Sequence, residues 1–342
     1  PDRLTPADFS EPLADARAAV ASLVGADVAS IALSPNTSTG INLAAALVRR
    51  QAQRGAGWLG QRRTIVFSEG EFPANAYAWL GLAREGWTVE RVPADELGRP
   101  MEDALLERLD DDVAVLALSA VQFANGYRAD LPRFGAACRE RGILFVVDGI
   151  QAVGAVPVDV VAAQVDILSA GGQKWLCGPF GSGFTYARPE RVRTLEPPLP
   201  GWLSFESSTN FSGTTDYPYD LLPDARRFEV GSLAIQDYLG LARSAELLGE
   251  VGVETIWAHI RDVQRPLLEW ADAHAAVRLV SDTRDAHRSG IVAFRTPDLD
   301  GTAAALRDAG VAFVTRGGAI RLAVHFYNTV AEMEKVVQIL EE

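Results

Sequence analysis

Only two cysteines occur in the 342 residues, Cys138 and Cys177. That is too few for a disulfide framework and fits a reducing compartment. No apolar run approaches the ~18 residues that a membrane-spanning helix requires, so no membrane partner is expected. The opening residues Pro1-Asp2-Arg3-Leu4 lack a signal-peptide pattern, and the expectation is a cytoplasmic location. Basic tracts are missing too: the formal net charge is −13, which excludes nucleic acid as an expected partner. There is no internal repeat, no low-complexity stretch and no expected metal site. What remains is a chain long enough for one large domain and a smaller one, each with a core.

Strands and helices alternate along most of it. A helix is expected from Pro12 to Val24, ended by Gly25. Strand 64–68, a helix from Pro73, strand 87–92, helix 101–109, strand 113–119, helix 131–141 and strand 143–147 follow one another through short loops. Such alternation implies a parallel sheet covered by helices on both faces. A proline- and glycine-rich cluster (197–201) and a polar loop from Ser207 to Tyr219 interrupt the pattern, where active-site and interface loops tend to lie. A helix over 235–248 then leads to an α+β tail: helix 253–275, strand 290–295, helix 301–309, strands near 311–315 and 319–324, and helix 329–341. The expected fold class is α/β, with a mainly parallel sheet in a large domain (1–240) and a small C-terminal α+β domain (241–342).

Two residues carry chemistry. Lys174 follows an apolar strand, expected over 165–169, and precedes the glycine-rich Gly178-Pro179-Phe180-Gly181-Ser182-Gly183. Taken alone, a lysine there is more often solvated. In a desolvated site its ammonium form is disfavoured, and the free amine can form a Schiff base with an aldehyde. Asp148 is the first polar residue after the continuous apolar run 143–147, which places it at a carboxyl-end strand tip, where open parallel sheets bind ligands. A buried carboxylate there needs a cationic partner, and a protonated pyridine nitrogen supplies one. Together the two make the minimal signature of a pyridoxal 5′-phosphate site.

The segments Asp148-Gly149-Ile150-Gln151 and Lys174-Trp175-Leu176-Cys177-Gly178-Pro179-Phe180-Gly181-Ser182-Gly183-Phe184 resemble the class V aminotransferase family of fold-type I pyridoxal phosphate enzymes, which includes cysteine desulfurases, kynureninases and isopenicillin epimerase-like proteins. The resemblance covers most of the chain and implies roles for further residues. Thr37 and Ser38, at the start of a helical pattern, would hold the cofactor phosphate, with Gln173 and Trp202 as further donors. Phe72 would stack on the pyridine ring, as in kynureninase-like members, offering an aromatic face but no proton transfer. Gln151 would reach the phenolic oxygen. Gln122, Phe123 and Asn125 lie in a loop that passes near the cofactor, and Phe123 and Asn125 are candidate substrate contacts. Arg227 to Ser232 resembles the stretch that crosses a homodimer interface toward the partner's cofactor, with Ser232 as the contact.

Arg321, in the pattern Arg321-Leu322-Ala323-Val324-His325-Phe326-Tyr327-Asn328, would bind the α-carboxylate of an amino-acid substrate through two parallel charged hydrogen bonds. His325 is left as either structural or catalytic. Two departures bear on the reaction. Gly171-Gly172-Gln173-Lys174 replaces the desulfurase Ser-x-His-Lys, and no cysteine occurs late in the chain where a persulfide would form, Cys138 reading as core and Cys177 as packed. The expected reaction is transamination at Cα, with a lyase or an epimerase as alternatives and a non-catalytic cofactor-binding homologue as the least favoured.

Overall fold

The computed structural model describes residues 6–55, 58–209 and 215–342. In chain order the first part contains α1 (Pro6–Leu23), β1 (Ile31–Leu33), α2 (Thr37–Arg54), β2 (Thr64–Ser68), α3 (Pro73–Ala83), β3 (Thr88–Val92), α4 (Glu102–Glu107), β4 (Val113–Ser119), α5 (Leu131–Arg141), β5 (Leu144–Asp148), β6 (Ile167–Gly171), β7 (Gly183–Ala187), α6 (Pro189–Thr194) and α7 (Ile235–Val251). The strands form one seven-stranded sheet in the order β1-β7-β6-β5-β4-β2-β3, antiparallel where β7 meets its two neighbours and parallel elsewhere. β2, β4 and β5 are wholly buried, as strands with both faces covered must be. Alternate side chains separate accordingly. Ile65 and Phe67 join Ile41 and Leu47 of α2 and Trp79 of α3, while Val66, Phe145 and Val147 join Val20 of α1, Phe134 of α5 and Leu241 of α7.

The tail holds α8 (Val253–Ala273), β8 (Arg278–Leu279), β9 (Ile291–Arg295), α9 (Leu299–Asp308), β10 (Val314–Arg316), β11 (Ala319–Ala323) and α10 (Val330–Glu341). Its antiparallel sheet runs β10-β11-β9-β8. The boundary expected at residue 240 falls inside α7. Among the described residues no helix is long and apolar enough to cross a membrane.

Several boundaries differ from expectation for identifiable reasons. α1 begins at Pro6 and carries Pro12 inside it, so the proline does not mark the start. β1, β7 and β8 were not anticipated: β1 and β8 have three and two residues, and β7 follows Gly181-Ser182-Gly183, which reads as loop. β6 starts at Ile167 rather than 165, because Asp166 is taken up by a buried charge cluster. Its carboxylate receives Phe145 N at 2.9 Å and Arg191 Nε at 2.7 Å, and pairs with Arg188. Part of the polar loop expected from Ser207 to Tyr219, residues 210–214, lies outside the described residues.

Candidate active site

The carboxyl ends of the central strands create the site. Register pairs Ser119 of β4 with Asp148 of β5, and Asp148 with Ser169 of β6, so the aspartate lies in a polar row at the end of an apolar sheet. It is 2% exposed, and among the described residues its side chain accepts one hydrogen bond, from Ile150 N to Oδ1 at 3.0 Å. Burial pushes its carboxyl up to about 7 against the pull of that bond; nearby Glu71 adds to the push and Lys174 opposes it. A buried carboxylate so sparsely bonded fits a cationic N–H partner.

Lys174 stands three residues beyond β6, open at the mouth of the site. Burial of the amine by surrounding protein lowers its pKa, Asp148 counters this, and Arg321 lowers it further. Its Nζ is 5.6 Å from the ring centroid of Phe72. That ring is 40% exposed and meets Phe123 edge-on, with centroids 5.2 Å apart, so Phe72 presents a face to the site and does not plug the core.

The lysine loop is clamped from behind. Gln151 Oε1 accepts from Trp175 Nε1 at 2.9 Å, and His325 Nε2 donates to Trp175 O at 2.8 Å. His325 Nδ1 accepts from Phe326 N at 2.7 Å, which fixes the proton on Nε2. Burial lowers the histidine's pKa, and these contacts make the imidazole a brace of the lysine loop. Cys177, expected to be packed, is exposed, with Sγ 3.7 Å from His325 Nε2. Burial raises the pKa of both thiols, so neither is held as a thiolate.

Arg321 reaches the site from β11. Its Nη1 donates to Phe123 O at 2.5 Å, and its buried Nε has no partner. Burial lowers its pKa and Arg316 acts in the same direction. No carboxylate pairs with it among the described residues. Asn125 does not join it. The Asn125 side chain donates to Leu97 O (3.2 Å) and Gly98 O (2.8 Å) and accepts from Tyr127 N (3.0 Å), which leaves neither amide hydrogen for a substrate and makes the residue a brace of the 122–128 turn.

A second group of expected residues gathers beside α2. Asn36 caps the helix by accepting from Thr39 N at 3.0 Å, and the buried Thr37 Oγ1 accepts from Gly171 N at 2.9 Å, tying the start of α2 to the end of β6. The helix can come this close because residue 40 is glycine: a Cβ there would stand 2.2 Å from Ser169 Oγ and 2.3 Å from Thr185 Oγ1. Ser38 and Ser232 line one cavity of about 990 Å³; Trp202, 47% exposed, lies with its indole beside Gly231. Gln173 has a buried Oε1 without a partner. Backbone and hydroxyl donors at a helix N-terminus suit an anion. The 990 Å³ cavity is lined by neither Lys174 nor Asp148, so the expected residues fall into two groups joined by the Thr37–Gly171 contact.

Two residues escaped sequence reasoning. Trp175 was noted only as part of the loop. Glu71, one residue before Phe72, is buried among four donors, yet an acid ahead of a helix reads as a solvated turn residue.

The family model described as "Aminotransferase class-V" matches residues 5–336. The uncharacterized aminotransferase YcbU of Bacillus subtilis is 29% identical over 94% of this chain and 81% of its own length. A probable cysteine desulfurase of Methanothermobacter thermautotrophicus is 26% identical over 96% and 83%. Among solved structures, the apo cysteine desulfurase of Thermococcus onnurineus superposes with a TM-score of 0.84 at 25% identity, covering 97% of this chain and 84% of that one.

Proposed function

The chain belongs to the aminotransferase class-V family and is an enzyme of pyridoxal 5′-phosphate; from that premise we propose that it transaminates an amino acid whose α-carboxylate is bound by Arg321. The observation that carries the substrate class is the isolation of Arg321. A partly buried guanidinium with, among the described residues, one carbonyl partner, an unbonded Nε and no counter-ion fits a ligand carboxylate better than a structural role.

The residues also fit the cofactor. Asp148 would hold the ring nitrogen, Lys174 the aldehyde carbon and Phe72 one ring face. Gln151, whose carbonyl end is taken by Trp175, would turn its amide hydrogens to the phenolic oxygen. Ser38, the hydroxyl hydrogen of Thr37, Gln173 and Trp202 would surround the phosphate, and Ser232 would reach it across a homodimer interface. When bound, pyridoxal phosphate supplies the electron sink that lets a Cα proton leave. The lowered pKa of Lys174 favours a free amine at Nζ, which can accept that proton and return it to a neighbouring atom.

Phe72 and Phe123, the aromatic pair facing Lys174, carry no proton, and His325 is committed to Trp175. A site with one base supports proton transfer between adjacent atoms over inversion, which needs a second base on the opposite face. The lyase reading stays as the alternative on the strength of the desulfurase and kynureninase relatives, although neither thiol offers an activated nucleophile for a persulfide.

The discriminating experiment mixes the purified holoenzyme with a panel of L-amino acids and no added acceptor. Transamination yields one equivalent of keto acid per site and stops, then resumes when a second keto acid is supplied. Sustained release of ammonia with pyruvate, or of a cleaved β-substituent, would replace the proposal with the lyase.

A further inference from the structure

Glu71 is a buried carboxylate that the chemistry above does not use. Its Oε1 accepts from Ser119 N at 2.9 Å and from Gln122 Nε2 at 2.6 Å, and its Oε2 from Asn75 Nδ2 at 2.9 Å and from Ser119 Oγ. The four donors come from three segments. Asn75 lies in the first turn of α3, which Phe72 caps. Ser119 ends β4 in register with Asp148. Gln122 opens the turn that carries Phe123, whose carbonyl holds Arg321. No cation pairs with Glu71 among the described residues; burial raises its pKa against the pull of these hydrogen bonds, and four donors on two oxygens match the acceptor capacity of a carboxylate.

We propose that Glu71 is a positioning residue that fixes Phe72, Asp148 and the Phe123–Arg321 arm in one mutual geometry, and that it acts on the cofactor through Phe72. The inference rests on the pyridoxal phosphate reading. A neutral apolar side chain of the same size would fill the space yet leave Ser119 N, Ser119 Oγ, Asn75 and Gln122 without acceptors, and the three segments would be free to move independently. The charge of Glu71 also bears on Asp148, raising its proton affinity.

The test is a double-mutant cycle read as the dissociation constant of pyridoxal phosphate, measured by quenching of tryptophan fluorescence in the apo-protein. Glu71→Ala should weaken binding by about tenfold or more, and Glu71→Ala with Phe72→Ala should bind little worse than Phe72→Ala alone, because coupled residues are not additive. Glu71→Gln, which retains the acceptor for Ser119 N, should stay within about threefold of the parent. Asp166→Asn, a buried carboxylate at the far end of β6, should lower the melting temperature and leave the constant unchanged. If Glu71→Ala does not fold, Gln122→Ala takes its place in the cycle. Effects that add in full, or unchanged binding in the Glu71 and Gln122 variants, would overturn the proposal. A parent protein that binds no pyridoxal phosphate would instead overturn the cofactor reading.

Discussion

At the scale of single residues the site is defined by charges without ordinary partners. Arg321 has no counter-ion among the described residues, so Arg321→Lys should be a poor replacement, since one ammonium cannot reproduce a planar two-bond clamp. Loss of a partly buried charged contact of roughly 2–5 kcal/mol predicts a fall in kcat/KM of more than about tenfold. That loss should vanish for a reactive amine lacking the carboxylate; equal losses with both amines would assign Arg321 to the fold.

Asp148 gives a pH signature. Its carboxyl is raised to about 7 from an ordinary 3.8, so between those values the folded chain binds more protons than the unfolded one. The contribution of this group to stability therefore decreases as pH rises through that window and levels off above about 7. A cationic ring nitrogen would give the carboxylate its partner, so pyridoxal phosphate should raise the melting temperature more at pH 8 than at pH 5. Measuring this in Lys174→Ala excludes Schiff-base formation from the effect, and Asp148→Asn should flatten it. An equal gain at both pH values in Lys174→Ala would separate Asp148 from the cofactor. That Lys174, Asp148 and Arg321 adjoin or interrupt apolar strands was legible in the sequence, and their roles are proposed from that placement. Glu71 was not legible, because three of its four donors, two from Ser119 and one from Gln122, come from segments distant in sequence.

At the scale of elements, the close approach of α2 to the sheet bears on the proposed phosphate site. Gly40→Ala improves helix propensity by up to about 1 kcal/mol, but the added carbon would stand 2.2 Å from Ser169 Oγ. Overpacking of that kind costs about 1–3 kcal/mol, so the net effect should be destabilising. Because withdrawal of α2 carries Ser38 away and strains the Thr37–Gly171 bond, cofactor binding should weaken along with the denaturation midpoint. A shifted midpoint with unaltered binding would show that the helix start is not a phosphate site. Long elements were read correctly where both faces are buried, as in β4 and β5. β1, β7 and β8 were missed since a pairing partner distant in sequence decides them: β1 is a strand because Leu33 lies opposite Phe184, and periodicity cannot report that over three residues.

At the scale of the whole molecule, the proposed homodimer would set the cavity face of each chain against a second copy. Lys174, Asp148 and Arg321 are assembled within one subunit, whereas Ser38 and Ser232 face a 990 Å³ cavity that Leu199 and Val230 also line. Both of these apolar residues are exposed, as is Phe180 beside the lining residue Gly181. Apolar surface gathered around a polar ligand site marks an interaction face, and symmetric pairing would bring the same face of a second copy against it. Replacement of Leu199 or Val230 by aspartate should convert a dimer to a monomer in sedimentation velocity and weaken pyridoxal phosphate binding in parallel, with Lys174 still reducible by borohydride when cofactor is in excess. A parent chain that sediments as a monomer at assay concentration, with full activity and full cofactor occupancy, would show that one subunit completes the phosphate site alone. Ser232 would then have to be replaced as a ligand by donors of the same chain, with the Nε2 amide hydrogens of Gln173 the first to examine.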